Sequence, residues 1–99
     1  REFMHVDDLA NAVFYFISQT ELPPELVNTG AGTEITIRAL AETIAQEANF
    51  HGNIKWDASK PDGMFRKLLD SSLAKSLGWT PQISLLEGIR KTIREFRAL

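Results

Sequence analysis

The densest run of chemistry-bearing side chains lies between Asp57 and Asp70, where Lys60, Asp62, Arg66 and Lys67 share a segment with Pro61 and Gly63. Proline presets its own φ near about −65°, and glycine can take the positive φ that a tight turn often requires. Such a loop projects its charges from fixed backbone. Three cations against one carboxylate between Lys60 and Lys67 suit an anionic ligand with polar groups at its other end. Each charge-assisted hydrogen bond contributes about 1.5–3 kcal/mol, so two or three would hold a phosphate-bearing ligand at about micromolar strength. The same composition also describes a solvated surface loop. A second segment bears on the choice: Arg1-Glu2-Phe3-Met4-His5-Val6-Asp7-Asp8-Leu9-Ala10.

Other constellations promise less. Gly30-Ala31-Gly32 invites a dinucleotide-binding reading, but the position three residues after Gly32 holds Ile35, and the next helix starts only near residue 37. A pyrophosphate fingerprint needs glycine there and a helix rising directly from the turn. The segment reads as a tight turn that binds no cofactor. His5 and His51 are the two histidines, neither with a second histidine at ligand spacing, and no metal site is expected. His5 stands before a helix that carries Asp7 and Asp8, which suits a structural hydrogen bond better than catalysis. Asp7 and Asp8 are not a paired-carboxylate catalyst, because adjacent residues point about 100° apart on a helix. Trp56 and Trp79 are placed by type to stack on a planar ring of a ligand or, more commonly, to fill a core or a seam. Tyr15 is the sole tyrosine and Gln19 follows it by four, so no Tyr–Lys dyad exists and no catalytic residue is assigned within the chain.

These residues need elements to position them. Leu9, Ala10, Val13, Phe14, Phe16 and Ile17 recur at spacings of three and four, which predicts a helix over Asp7 to Ser18 with an unusually wide apolar face. Thr20 to Glu25, with Pro23-Pro24, ends it. Leu26 to Asn28 reads as a short strand before the glycine turn. Thr36 is an N-cap, with Ile35 stapling to Leu40, for a helix whose face is Ile37, Leu40, Ala41, Ile44 and Ala48. His51-Gly52-Asn53 is a turn, and residues 53–57 alternate as a strand. Leu68-Leu69 is a short extended step. Ser71 or Ser72 caps a two-turn helix closed by Gly78. Ser84-Leu85-Leu86-Glu87 is a capping box for the last helix, with Leu86, Ile89, Ile93 and Phe96 on its core side. Arg90, Lys91, Arg94 and Arg97 load its second half, where the helix dipole favours cations, as a solvated face. The result is an α/β piece with too few strands to close a sheet.

The charged loop and the opening segment together resemble the GDP-L-fucose synthase family, within the extended short-chain dehydrogenase/reductases (SDR), and specifically its C-terminal portion. The resemblance runs through Arg1–Leu9, Val27–Gly32, Thr36-Ile37-Arg38, Ser59–Asp70, Leu77-Gly78-Trp79 and Ile83-Ser84-Leu85. The opening segment is common to many nucleotide-sugar epimerases and dehydratases; the loop is what points to the fucose synthase branch. One departure sits inside it: the family has Thr-Pro where this chain has Met64-Phe65, and loss of that proline frees the backbone before Arg66. The resemblance implies a small C-terminal substrate-binding domain of an extended SDR, helices with a few short strands, not a complete Rossmann fold. It implies 3,5-epimerisation and then NADPH-dependent 4-reduction of GDP-4-keto-6-deoxy-mannose. NADP(H) and every catalytic residue would belong to an upstream Rossmann domain, against which residues 1–18 would pack. By position, Arg1, Asp62 and Lys67 would contact the GDP-sugar, with Arg66 beside them. A homodimer is a further expectation. The alternatives are the C-terminal domain of another nucleotide-sugar epimerase or dehydratase, or a non-catalytic nucleotide-sugar-binding or dimerisation module.

Bulk properties fit one small domain or part of one. The 99 residues would bury about 65% of the unfolded surface. A net charge of −2 argues against a nucleic-acid partner, which would need a basic face. Absence of cysteine removes disulfides and thiolate chemistry from this chain and fits a cytoplasmic protein. No apolar run is long enough to span a bilayer. The chain opens on Arg1 instead of methionine, which suggests a piece of something longer, inactive and marginally stable when isolated.

Overall fold

A computed structural model describes residues 1–21 and 24–99. The described residues form four helices in the order α1 (Val6–Ile17), α2 (Ile37–Glu47), α3 (Ser72–Ser76) and α4 (Leu85–Arg97). Each begins or ends on a feature that satisfies orphaned backbone groups. Thr36 and Ser84 cap α2 and α4, their hydroxyls accepting from the Ala39 N–H at 3.0 Å and the Glu87 N–H at 3.2 Å. The α1 cap is a histidine: His5 Nδ1 accepts from the Asp7 N–H at 3.0 Å, so its unprotonated nitrogen does a cap's work.

Helix ends follow the same logic. Asn49 stands at φ 61° after α2, and Phe50 N–H reaches the Ala45 carbonyl at 2.9 Å. Gly78 at φ 97° plays the same part after α3, with Trp79 N–H on Ala74 O at 3.0 Å. Both are Schellman ends built on a left-handed residue. α1 closes earlier than expected, at Ile17, with Ser18 N–H on Phe14 O. Part of the Thr20–Glu25 stop, including Pro23, lies outside the described residues.

Two expected strands do not form. Among the described residues, Leu26–Asn28 and residues 53–57 have no ladder. A strand exists by pairing, and residues 51–70 are exposed throughout with no extended neighbour beside them. The nearest thing to a sheet is a single reciprocal pair. Arg1 N–H donates to Ile35 O at 2.8 Å and Ile35 N–H returns to Arg1 O at 2.9 Å, the exchange of an antiparallel hydrogen-bonded pair. What remains of the α/β expectation is a partial domain, helical where it is regular.

The interior is small: Ala12, Ala74 and Trp79 are buried, with Met4, Tyr15, Phe16 and Val27 packed on them. Asp8 is fully buried, its two carboxylate oxygens accepting from the Gln82 and Ile83 N–H groups at 2.9 and 3.0 Å. That bond pair fixes the approach to α4 against α1. Three of the four cations on the basic face of α4 are tethers: Arg90 pairs with Glu47 at 2.8 Å, Lys91 with Asp7, and Arg97 donates to the Ala48 carbonyl at 2.6 Å. Sequence patterning gave these cations to solvent, because periodicity along one helix does not reveal which other helix end lies beside it.

Much apolar surface stays outside. The accessible surface is 7996 Å², against about 5,700 Å² for a folded monomer of this mass. The radius of gyration is 16.4 Å, where a chain this long normally reaches about 13 Å. On α1, Val6, Phe14 and Ile17 are 67–73% exposed.

Candidate functional site

The reciprocal Arg1–Ile35 pair, the entry to α2 and the charged loop border an open cavity of about 460 Å³. Arg1, Glu34, Thr36 and Ile37 form one wall, and Asp62, Gly63, Met64, Phe65 and Arg66 form the other. The start of α2 faces it, so the positive end of that helix's dipole adds to the arginines. Arg1 thus meets a loop more than sixty positions along the chain. Its guanidinium lies directly over Gly63: a Cβ built there would stand 2.8 Å from Arg1 Nη2. Glycine at 63 therefore makes room for the arginine, while its φ lies outside the left-handed region, so the expected glycine turn does not form there.

Arg66 reaches the same cavity but is engaged. Its Nε donates to Glu34 Oε1 at 2.6 Å, and that hydrogen bond holds the Glu34 carboxyl below the usual carboxylate range while raising the Arg66 guanidinium. Lys60 and Lys67, the other two loop cations, are absent from the cavity wall. Met64 and Phe65, standing where the resembling family has Thr-Pro, both line the cavity, and the Phe65 side chain is fully exposed. Of the four residues singled out from sequence, the fold brings Arg1, Asp62 and Arg66 around one space and leaves Lys67 outside its wall.

Two carboxylates were not singled out from sequence. Glu34 sits just ahead of the α2 cap with no motif to mark it. Glu2 accepts from the Gly32 N–H at 2.8 Å and the Leu69 N–H at 3.3 Å. The Gly32 N–H that a pyrophosphate would need already serves Glu2, and α2 begins five residues later, so this turn does not fit a dinucleotide. Trp79 is buried, as a core residue should be, while Trp56 is half exposed beneath Arg38, whose guanidinium carbon lies 4.9 Å from the ring centroid. His5 is consumed by the α1 cap. Among the described residues, no group of His, Asp and Glu is placed to hold a metal ion, and no helix is long and apolar enough to cross a membrane.

The chain is 50% identical over 92 residues to GDP-L-fucose synthase 1 of Arabidopsis thaliana, a match spanning 93% of its length. This chain is a homologue of the GDP-L-fucose synthases. It spans 28% of that relative's length. No family model matches the chain. Solved structures agree with the kinship to the GDP-L-fucose synthases. A GDP-6-OMe-4-keto-L-xylo-heptose reductase from Campylobacter jejuni superimposes at a TM-score of 0.84 with 29% identity, over 99% of this chain and 31% of that one. A GDP-mannoheptose C4 reductase from the same organism, with NADP bound, superimposes at 0.80 with 30% identity, over 100% of this chain and 32% of that one.

Proposed function

We propose that this chain is the substrate-binding part of a GDP-L-fucose synthase. The parent enzyme would epimerise GDP-4-keto-6-deoxy-mannose at C3 and C5 and then reduce its 4-keto group. The observation that carries this is the meeting of Arg1, Asp62 and Arg66 around one cavity at the positive end of α2. Arg1 and Arg66 hold the diphosphate, and Asp62 accepts from a hydroxyl of the ribose or sugar. NADPH, held by a domain upstream of this chain, supplies the hydride. Catalytic groups would lie upstream as well, leaving this chain to place the sugar by gripping the nucleotide end. Binding energy far from the reacting carbon contributes to rate by orienting it.

The docking face for that upstream domain is α1. Val6, Val13, Phe14 and Ile17 are all more than half exposed, and the surface excess of the chain is what an uncovered domain interface leaves. On this reading the isolated chain lacks activity, the parent is cytoplasmic, and dimer contacts lie mainly outside these residues. A second reading, reduction of another 4-keto GDP-sugar, is favoured by the heptose reductase neighbours.

The test is steady-state kinetics of the full-length protein carrying this chain, with GDP-4-keto-6-deoxy-mannose and NADPH varied separately. Arg1→Ala should raise the KM for the GDP-sugar about ten- to a hundred-fold, with the KM for NADPH near normal, because it removes a charge-assisted contact present in ground and transition states alike. Arg66→Ala should do less, and Asp62→Asn least, since the amide oxygen still accepts. Lys67→Ala separates the cavity geometry from the family pattern: an effect above that of Arg66→Ala means that the bound loop shifts register to present Lys67. If all four substitutions leave the KM within twofold, the loop is solvated surface and the assignment fails.

A further inference from the structure

Glu2 lies next to Arg1, yet its side chain points away from the cavity and into the backbone that surrounds it. Oε2 accepts from the Gly32 N–H at 2.8 Å, and Oε1 accepts from the Leu69 N–H at 3.3 Å. One carboxylate therefore bonds two stretches of chain that have no regular structure to hold them. Gly32 belongs to the glycine turn that leads to Glu34 and the start of α2. Leu69 ends the charged loop, three residues after Arg66.

Gly30 shows how closely this carboxylate is seated. Gly30 is buried, and a Cβ built on it would stand 2.7 Å from both oxygens of Glu2. Its φ lies outside the left-handed region, so backbone conformation does not require glycine there. The space is kept for the carboxylate.

We propose that Glu2 is a positioning residue of the nucleotide-sugar site: its carboxylate clasps the Gly30–Gly32 turn to the end of the charged loop and so fixes where Asp62 and Arg66 stand relative to Arg1. The proposal rests on the reading of the cavity as the GDP-sugar site. The chemistry favours a carboxylate specifically. It offers acceptor lone pairs on both oxygens, whereas the isosteric amide has one acceptor oxygen and would turn an N–H₂ group towards a backbone N–H. Residues 62–69 are exposed and lack regular hydrogen bonding, so the loop has little else to define it.

Two variants of the full-length protein test this. Glu2→Gln removes one acceptor, and Gly30→Ala leaves the carboxylate chemically intact while displacing it. Each should speed amide hydrogen exchange in the peptides that contain Leu69 and Gly32. Each should also raise the KM for the GDP-sugar about three- to tenfold, with kcat and the KM for NADPH within twofold. The double variant should be no worse than either single one, because both break the same clasp. Unchanged exchange at Leu69 in a folded variant overturns the clasp. Faster exchange with an unchanged KM overturns the positioning role; if Arg1→Ala still raises the KM in that case, the substrate-site reading survives and only this proposal falls. Additive effects of the two substitutions also overturn it. Should Glu2→Gln fail to fold, Gly30→Ala carries the same measurements.

Discussion

Arg66 faces the cavity with its guanidinium already bonded to Glu34, so under the proposed function a diphosphate would have to compete with that carboxylate. Glu34→Gln should therefore tighten GDP-sugar binding. The pair is short, with Nε to Oε1 at 2.6 Å, but the Arg66 side chain is 64% exposed and the Glu34 side chain 31%. Exposed pairs are screened and weak, which sets the gain at about two- to fivefold in Kd and no more. Calorimetry or the KM of the full-length protein at low ionic strength reads it directly, and the gain should shrink in half-molar salt as screening replaces the missing charge repulsion. Combining Glu34→Gln with Arg66→Ala should abolish the gain, because the carboxylate then has no cation to release. A rise in KM on Glu34→Gln would refute the argument: Glu34 would then contact the ligand itself. A gain that persists without Arg66 would refute it too, leaving only a general field effect.

Two further predictions concern the scaffold. Gly78→Ala should destabilise the protein by about 1–2 kcal/mol from the left-handed backbone alone, and more because its Cβ would meet the Tyr15 hydroxyl that donates to the Leu77 carbonyl at 2.7 Å. Thermal melts comparing it with Tyr15→Phe check this, and the smaller loss belongs to Tyr15→Phe. Lys91 holds the Asp7 carboxyl below its ordinary value, and Arg66 and Arg90 do the same for Glu34 and Glu47. Carboxyls depressed in the folded state stabilise it above their unfolded values and lose that contribution as pH falls through the folded ones. The melting temperature should thus be insensitive to these pairs between pH 7 and about 5 and fall below about 4.5, with a shallower fall in Lys91→Met; an unaltered profile in that variant would remove Asp7 from the account.

What sequence alone determined was local. The caps at Thr36 and Ser84, the glycine closing α3, the apolar breadth of α1 and the unfit dinucleotide motif are all written within a few neighbouring residues, where backbone geometry and side-chain reach decide the outcome. Motif resemblance also carried the chain to its relatives, and it pointed to Arg1, Asp62 and Lys67, with Arg66 beside them, without any knowledge of distance; the fold puts Arg1, Asp62 and Arg66 around one cavity and leaves Lys67 off its wall. Tertiary structure decided everything that depends on residues far apart. The expected strands lack partners because pairing is a property of two segments, and neither run finds its second. Arg90, Lys91 and Arg97 of α4 became tethers because Glu47, Asp7 and the end of α2 lie beside them. Glu2 and Glu34 have no periodicity or spacing to announce them, yet one binds the loop to the glycine turn and the other holds Arg66. A carboxylate's role is set by which donors come within about 3 Å of it, and only the folded chain fixes that.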